Sequence, residues 1–293
     1  MDRAAGRKSW SDEKLITRAL SAKTNKTHWD NVSELRQRAS ASLYARCLEL
    51  VSSDHPIEHE TGLHILSYFY QIKKSKRNKG GSYTVKFPYR KELYTLFWKM
   101  IAEETDKDCI ASILIGIAHY SIRHTAKEID LYLSFLSYEA EEIRFAVVMA
   151  LSCIEDMKAI RGLIILSRDK ISCIRDWATF SIGTQSNLDN DEIRKALYAR
   201  CTDRHHDTRM EAISGLAKRK DEGVKPYLEK EFSACTVYVL NSIEELNAVE
   251  YLPRLESLLK ETENDQDTNQ YWFNCLKKCI ESLRCGQQEF DVK

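Results

Sequence analysis

The chain has 293 residues, of which 43% are hydrophobic and 30% charged, and 44 Lys+Arg balance 44 Asp+Glu to a net charge of zero. This composition excludes wholesale disorder and a chain-wide nucleic-acid coat, which would need a basic excess. Ten Gly and four Pro are too few for the turns of a doubly wound α/β enzyme or a β-sandwich, so long helices joined by short polar turns are expected.

Residues 1–27 are polar and read as a frayed or short helical lead. Met1–Trp10 has no apolar signal core, and no segment approaches the ~18 consecutive apolar residues of a membrane span, so a cytoplasmic protein is expected. Residues 28–104 read as N-terminal helical pairs. Trp29, Val32, Leu35, Ala39, Leu43, Cys47 and Leu50 recur at helical spacing, and 55–72 supply the second member of a pair covering the first repeat. Residues 73–91 interrupt this pattern with eight Lys/Arg and no acidic residue. Two readings stand. Gly80-Gly81 makes the segment a solvated inter-helix loop. Alternatively Lys74, Lys76, Arg77, Tyr83, Phe87 and Tyr89 form a basic finger with aromatic anchors for a phosphate or an acidic partner.

Residues 105–262 repeat. Aligning 109–118, 142–151, 173–182 and 207–216 gives a column of Ala111, Arg144, Arg175 and Arg209, and another of Leu114, Val147, Ala178 and Ala212. Ala118, Leu151, Ile182 and Leu216 close the four segments. Second helical stretches follow at 157–169, 191–203, 223–232 and 249–261, with Asp156, Asp189 or Asp191, Asp221 and Asn247 placed to cap them. A period near 33 with two helices per unit predicts an all-α superhelix: a curved solenoid of roughly eight helical pairs in which neighbours must stack to bury their apolar faces. Residues 263–293 complete it as a capping helix and tail.

The run Asp169-x5-Arg175-Asp176-Trp177-Ala178, with Asp203-x5-Arg209-x-Glu211-Ala212, resembles HEAT-like repeats of the class first named for phycobilin lyases, over about 105–262. The resemblance implies the fold and says little about function, because members serve as bilin-lyase subunits, scaffolds, adaptors or toxin-neutralising partners. It also implies a ladder in which each turn Asp pairs with an Arg of the adjacent repeat, giving Asp169, Arg175, Asp203 and Arg209 structural roles. Ala111 and Thr236-Val237-Tyr238 depart from that pattern and mark its ends.

Chemistry is sparse. No GxGxxG, GxxxxGK[ST], GxSxG or HExxH occurs, so nucleotide cradles, a nucleophile elbow and a zincin helix lack support. Nine cysteines without a CxxC pair read as reduced thiols in apolar stretches, and Cys275 and Cys279 as core rather than zinc ligands. His55 and His59 read as solvated, His205-His206 as surface, and Trp177 as inter-repeat packing with Asp176 at a surface position. No metal and no cofactor is expected.

Taken together, these features predict a non-enzymatic scaffold that binds a protein partner through outward residues of the second helices: Arg161, Arg168, Arg194, Tyr198, Lys225, Glu229 and Arg254. An immunity or inhibitor protein is one form of this. The alternatives are a nucleic-acid-binding protein of the HEAT-like glycosylase class using 73–91, and a bilin-lyase-like subunit. Eight Asp/Glu within 244–267 oppose the basic segment, a polarity suited to steering a partner.

Overall fold

The computed structural model describes residues 6–74, 83–86, 88–263, 265 and 267–291, and the side chains of these except 72–74, 83–86 and 287–291. Among them lie sixteen α-helices and one two-stranded antiparallel sheet. The chain divides into two compact units, Met1–Ala150 and Leu151–Lys293.

The first unit holds α1 (Asp12–Leu20), α2 (Asn25–Arg36), α3 (Ala41–Val51), α4 (Pro56–Leu66), α5 (Arg90–Met100), α6 (Lys107–Tyr120) and α7 (Ala126–Ser134). Helix α8 (Glu141–Leu151) ends at the division. Sequential helices pack as pairs, α1 on α2, α3 on α4 and α5 on α6, while α2, α4 and α6 lie side by side as one layer. Caps explain where the helices start: Thr24, Ser40, Asp106 and Thr125 each accept a backbone N–H of the first turn, and Thr125 with Glu128 forms a capping box.

The polar lead takes the short-helix form of its two readings as α1, because Leu15, Ile16 and Ala19 are buried. One reading of the N-terminal part needs correction. The stretch 28–51 is two helices rather than one. Arg36 and Ala39 divert their backbone groups to Tyr70, with Tyr70 N–H donating to Arg36 O at 2.8 Å and Ala39 N–H donating to Tyr70 O at 3.2 Å. Ser40 then caps α3 afresh. Within the basic insertion, β1 (Gln71–Lys74) pairs antiparallel with β2 (Tyr83–Lys86), Gln71 opposite Lys86. The two described ends of the insertion are thus paired strands, whose ladder satisfies backbone groups that would otherwise be left to water; residues 75–82 and 87, on which the loop reading falls, lie outside the described residues.

The second unit holds α9 (Met157–Leu166), α10 (Ser172–Phe180), α11 (Asp191–Tyr198), α12 (His206–Lys218), α13 (Lys225–Glu231), α14 (Val237–Leu246), α15 (Leu252–Thr262) and α16 (Gln270–Asp291). Successive helices again pair, and α10, α12, α14 and α16 form one layer. The small and aliphatic residues of the repeat columns are buried in this layer, among them Ala178, Ala212, Leu216 and Ile182. Asp156 and Asp221 cap as expected. Asn190, not Asp189 or Asp191, caps α11 through Ile193 N–H at 2.9 Å. Asn247 does not start a helix: at φ 49 it closes α14 in the left-handed conformation.

The Asp–Arg ladder is present between α10 and α12. The Arg175 guanidinium, only 5% exposed, donates to both oxygens of Asp203 at 3.0 Å and to the carbonyls of Asp169 and Lys170. Arg209 repeats the carbonyl contacts, to Asp203 and Arg204. It finds Glu231 at 2.8 Å where the ladder would next need an Asp.

Candidate functional site

The second-helix residues expected to contact a partner are for the most part engaged with one another. Arg161 meets Glu192 at 3.1 Å. Arg194 bridges Asp189 and Asp221 at 2.6–2.9 Å, and Tyr198 donates its hydroxyl to Asp221 at 2.6 Å. Lys225 pairs with Glu250 at 2.7 Å and with Glu222. Glu229 accepts from Arg254 at 2.7 Å, whose guanidinium also lies 3.7 Å over the Phe232 ring. Arg168 is exposed. These side chains stitch each second helix to its neighbour's turn. In the Asp221 cluster, burial opposes ionisation, but bonds from Tyr198 and Arg194 outweigh it and hold the carboxyl below the usual range.

Of the basic-insertion residues, Lys76, Arg77 and Phe87 fall outside the described residues, and Lys74 and Tyr83 are placed in β1 and β2 by backbone only. Tyr89 is half-buried, at φ 60, with its ring stacked on Tyr44 at 4.0 Å and nearly parallel. It anchors the end of the insertion to α3. At that end Arg90, Lys91 and Arg123 line an open cavity of about 430 Å³ with Tyr94, Ile122 and Glu128.

A second cavity, about 250 Å³, opens on the layer of first helices in the second unit. Its walls come from α10, α12, α14 and a π-turn, Ser181–Gln185, that continues α10. Such single π-turns recur at functional sites. The turn exists because α10 and α12 touch backbone to backbone: a Cβ built on Gly215 would lie 2.5 Å from Gly183 Cα. Arg219, whose side chain is 5% exposed, closes the turn. It donates to the carbonyls of Ile182, Gly183, Gly215 and Leu188 at 2.7–2.8 Å.

Glu211 reaches into this cavity, 7% exposed, accepting from Thr184 Oγ1 at 3.1 Å. Burial pushes its carboxyl above the ordinary range, and Asp176 and Asp207 add to that against the bonds from Thr184 and Tyr238. Asp176 is raised as well, by burial and then, against the pull of His205, by Asp207; its Oδ1 is buried without a hydrogen-bond partner. Lys218, the one cation among the lining residues, is spent on the carbonyls of Thr184 and Ser186. Trp177, 39% exposed, and Tyr238, 41% exposed, present aromatic surface on α10 and α14. One expectation is thereby corrected: Asp176, read as a surface position, is half-buried.

His59 also departs from its solvated reading. It is half-buried, with Nδ1 2.6 Å from Val51 O and Nε2 3.0 Å from Glu104 Oε2. His205 is the N-cap of α12, whereas His206 is exposed. Cys279 is buried in the core, and Cys275 is half-buried.

No family model matches the sequence. The chain is 32% identical over 130 residues to protein YibA of Escherichia coli strain K12, and equally so to protein YibA of E. coli O157:H7. Each match covers 44% of this chain and 46% of the relative, so the chain spans about half the length of the curated relatives it matches. Its fold is similar to that of the crystal structure of E. coli YibA, with a TM-score of 0.69 and 21% identity over 96% of this chain and 95% of that one. At that identity the likeness concerns the fold.

Proposed function

We propose that this chain is a non-enzymatic, HEAT-like repeat protein that binds a protein partner, an inhibitor of the immunity type or an adaptor, through the layer of first helices in the second unit. The observation that carries this reading is Glu211. A buried carboxylate flanked by Asp176 and Asp207, lacking a cation of its own and bordered by exposed aromatics, costs stability unless an incoming group repays it. A Lys or Arg side chain of a partner supplies the missing charge, and Trp177 and Tyr238 supply the apolar anchors that dominate such contacts. The second-helix residues then hold the scaffold in register, their ion pairs being satisfied within the chain.

The reading is tested by capture from the source cells with the intact chain, Glu211→Gln, Tyr238→Ala and Arg161→Ala. Recovery of one stoichiometric protein, lost with the first two variants and kept with Arg161→Ala, is the expected result; equal recovery by all four overturns the placement of the surface. Glu211→Gln has a second consequence. A carboxyl raised on folding withdraws stability as pH rises through its folded value, so this variant is expected to gain about 0.5–2 kcal/mol at pH 7 and nothing in acid, read by thermal unfolding at both pH values.

A nucleic-acid reading is favoured by one observation, the cavity lined by Arg90, Lys91 and Arg123 at the foot of the basic insertion. Arg90 is nonetheless committed to the carbonyls of Tyr120 and Ser121, and protein binding remains the better supported reading.

A further inference from the structure

We infer that His59, Glu104 and Cys109 form a divalent transition-metal site, zinc by its ligand chemistry, with three protein ligands and one open position. One nitrogen, one carboxylate oxygen and one sulfur from these residues all lie within 4.8 Å of one another. A tetrahedral zinc ion with bonds of about 2.0–2.3 Å holds its ligands roughly 3.3–3.8 Å apart, so small side-chain rotations close the site.

Three features of the surroundings point to an ion rather than to chance proximity. Nδ1 of His59 sits 2.6 Å from Val51 O, a contact that requires the N–H on that nitrogen and turns Nε2 toward Glu104 Oε2. This carbonyl-oriented imidazole is how metal-bound histidines are usually held. Glu104 is oriented in the same way: its Oε1 accepts the backbone N–H groups of Thr105 and Asp106, which leaves Oε2 for the site. Nε2 and Oε2 lie 3.0 Å apart as a hydrogen-bonded pair, and a metal ion would take the place of the proton between them, which leaves to solvent. Cys109, buried at the start of α6, completes a mixed N/O/S set of the kind zinc takes from protein. Lys107, the neighbouring cation in sequence, is turned to Glu142, and Asp106 is held by the backbone N–H groups of Asp108 and Cys109. His59 and Glu104 keep partial exposure, which gives the ion a way in. On binding, the Cys109 S–H bond breaks, the proton passes to solvent, and the thiolate takes the metal.

The site would staple α4 to the turn between α5 and α6. It rests on different residues from the partner-binding surface, so either stands if the other falls. The test uses the full chain stripped with chelator and titrated with Co²⁺, then Zn²⁺. One equivalent of Co²⁺ is expected to give intense visible d–d bands and a near-ultraviolet sulfur-to-cobalt charge-transfer band, both erased by Zn²⁺. Cys109→Ser abolishes the charge-transfer band, and His59→Gln weakens affinity by more than the ~100-fold typical of losing an outer partner. Cys153→Ser, an exposed thiol, leaves both intact and controls for folding. Weak octahedral cobalt spectra from the intact chain, or a charge-transfer band that survives Cys109→Ser, overturn the site.

Discussion

Arg175 brings a full charge into the interior of the second unit, and the cost is met by Asp203 together with two carbonyls. Removing one member of such a pair leaves the other buried and unpaired, a loss of about 3–5 kcal/mol. Asp203→Ala is expected to lower unfolding free energy by that amount in urea titration, whereas Arg254→Ala, whose partner Glu229 is half exposed, is expected to cost about 1 kcal/mol or less. The pH dependence has a definite sign. Burial opposes ionisation of Asp203, but Arg175 and the His205 N–H outweigh it and hold the carboxyl below the usual range. A carboxyl lowered on folding stabilises fully above its unfolded pKa of about 3.9 and loses that contribution as pH falls through the folded value. The gap between wild type and Asp203→Asn is therefore expected to narrow below about pH 4. These roles were legible through the family resemblance, which implied an Asp–Arg ladder between successive repeats. The role of Glu211 was not visible: in the same column alignment it stands beside Ile113, Ala146 and Trp177, and nothing in the spacing marks it as buried.

At the scale of the element, the π-turn after α10 shapes the candidate site. Gly183 and Gly215 let α10 and α12 meet backbone to backbone, and an added Cβ at Gly215 would meet Gly183 Cα at 2.5 Å and Leu197 Cδ1 at 3.2 Å. Neither backbone can give way without moving Arg219 off the carbonyls it caps. Gly215→Ala is expected to cost about 1–3 kcal/mol, measured by thermal unfolding, and to weaken partner capture along with Glu211→Gln because the cavity wall shifts. Residues 173–182 read as helix from the sequence, and α10 covers them as far as Phe180; the π-turn that takes over at Ser181 could not be read, since it carries the same apolar spacing as the helix it ends. The N-terminal helices show the converse. Apolar spacing runs uninterrupted across Ala39, so the break there could not be read: it is made by the backbone of Tyr70, which bonds Arg36 and Ala39.

Across the whole molecule, zero net charge conceals local imbalance: cations at Arg90, Lys91 and Arg123 in one unit, and carboxylates at Asp176, Asp207 and Glu211 in the other. Binding of a cationic partner to the latter is expected to slow several-fold between low and physiological salt, because screening acts on encounter more than on the bound state. Stopped-flow association across a salt series reads this directly. Filter binding of duplex DNA over the same series is expected to show no salt-sensitive retention; a steep slope would move the functional surface to the basic insertion.

Helical periodicity, the near-33-residue period and the scarcity of Gly and Pro suffice to specify paired helices, since any chain with that spacing must bury its apolar stripes against neighbours. Which polar side chains are consumed by the scaffold and which are left for a ligand is a different kind of fact. Arg194 and Glu211 look alike along the chain, each a charged residue within a helix. Folding sets one between two carboxylates and the other in a cavity whose one lining cation, Lys218, is bonded to carbonyls instead, because the distances that govern electrostatics are set by packing between helices and not by position along them.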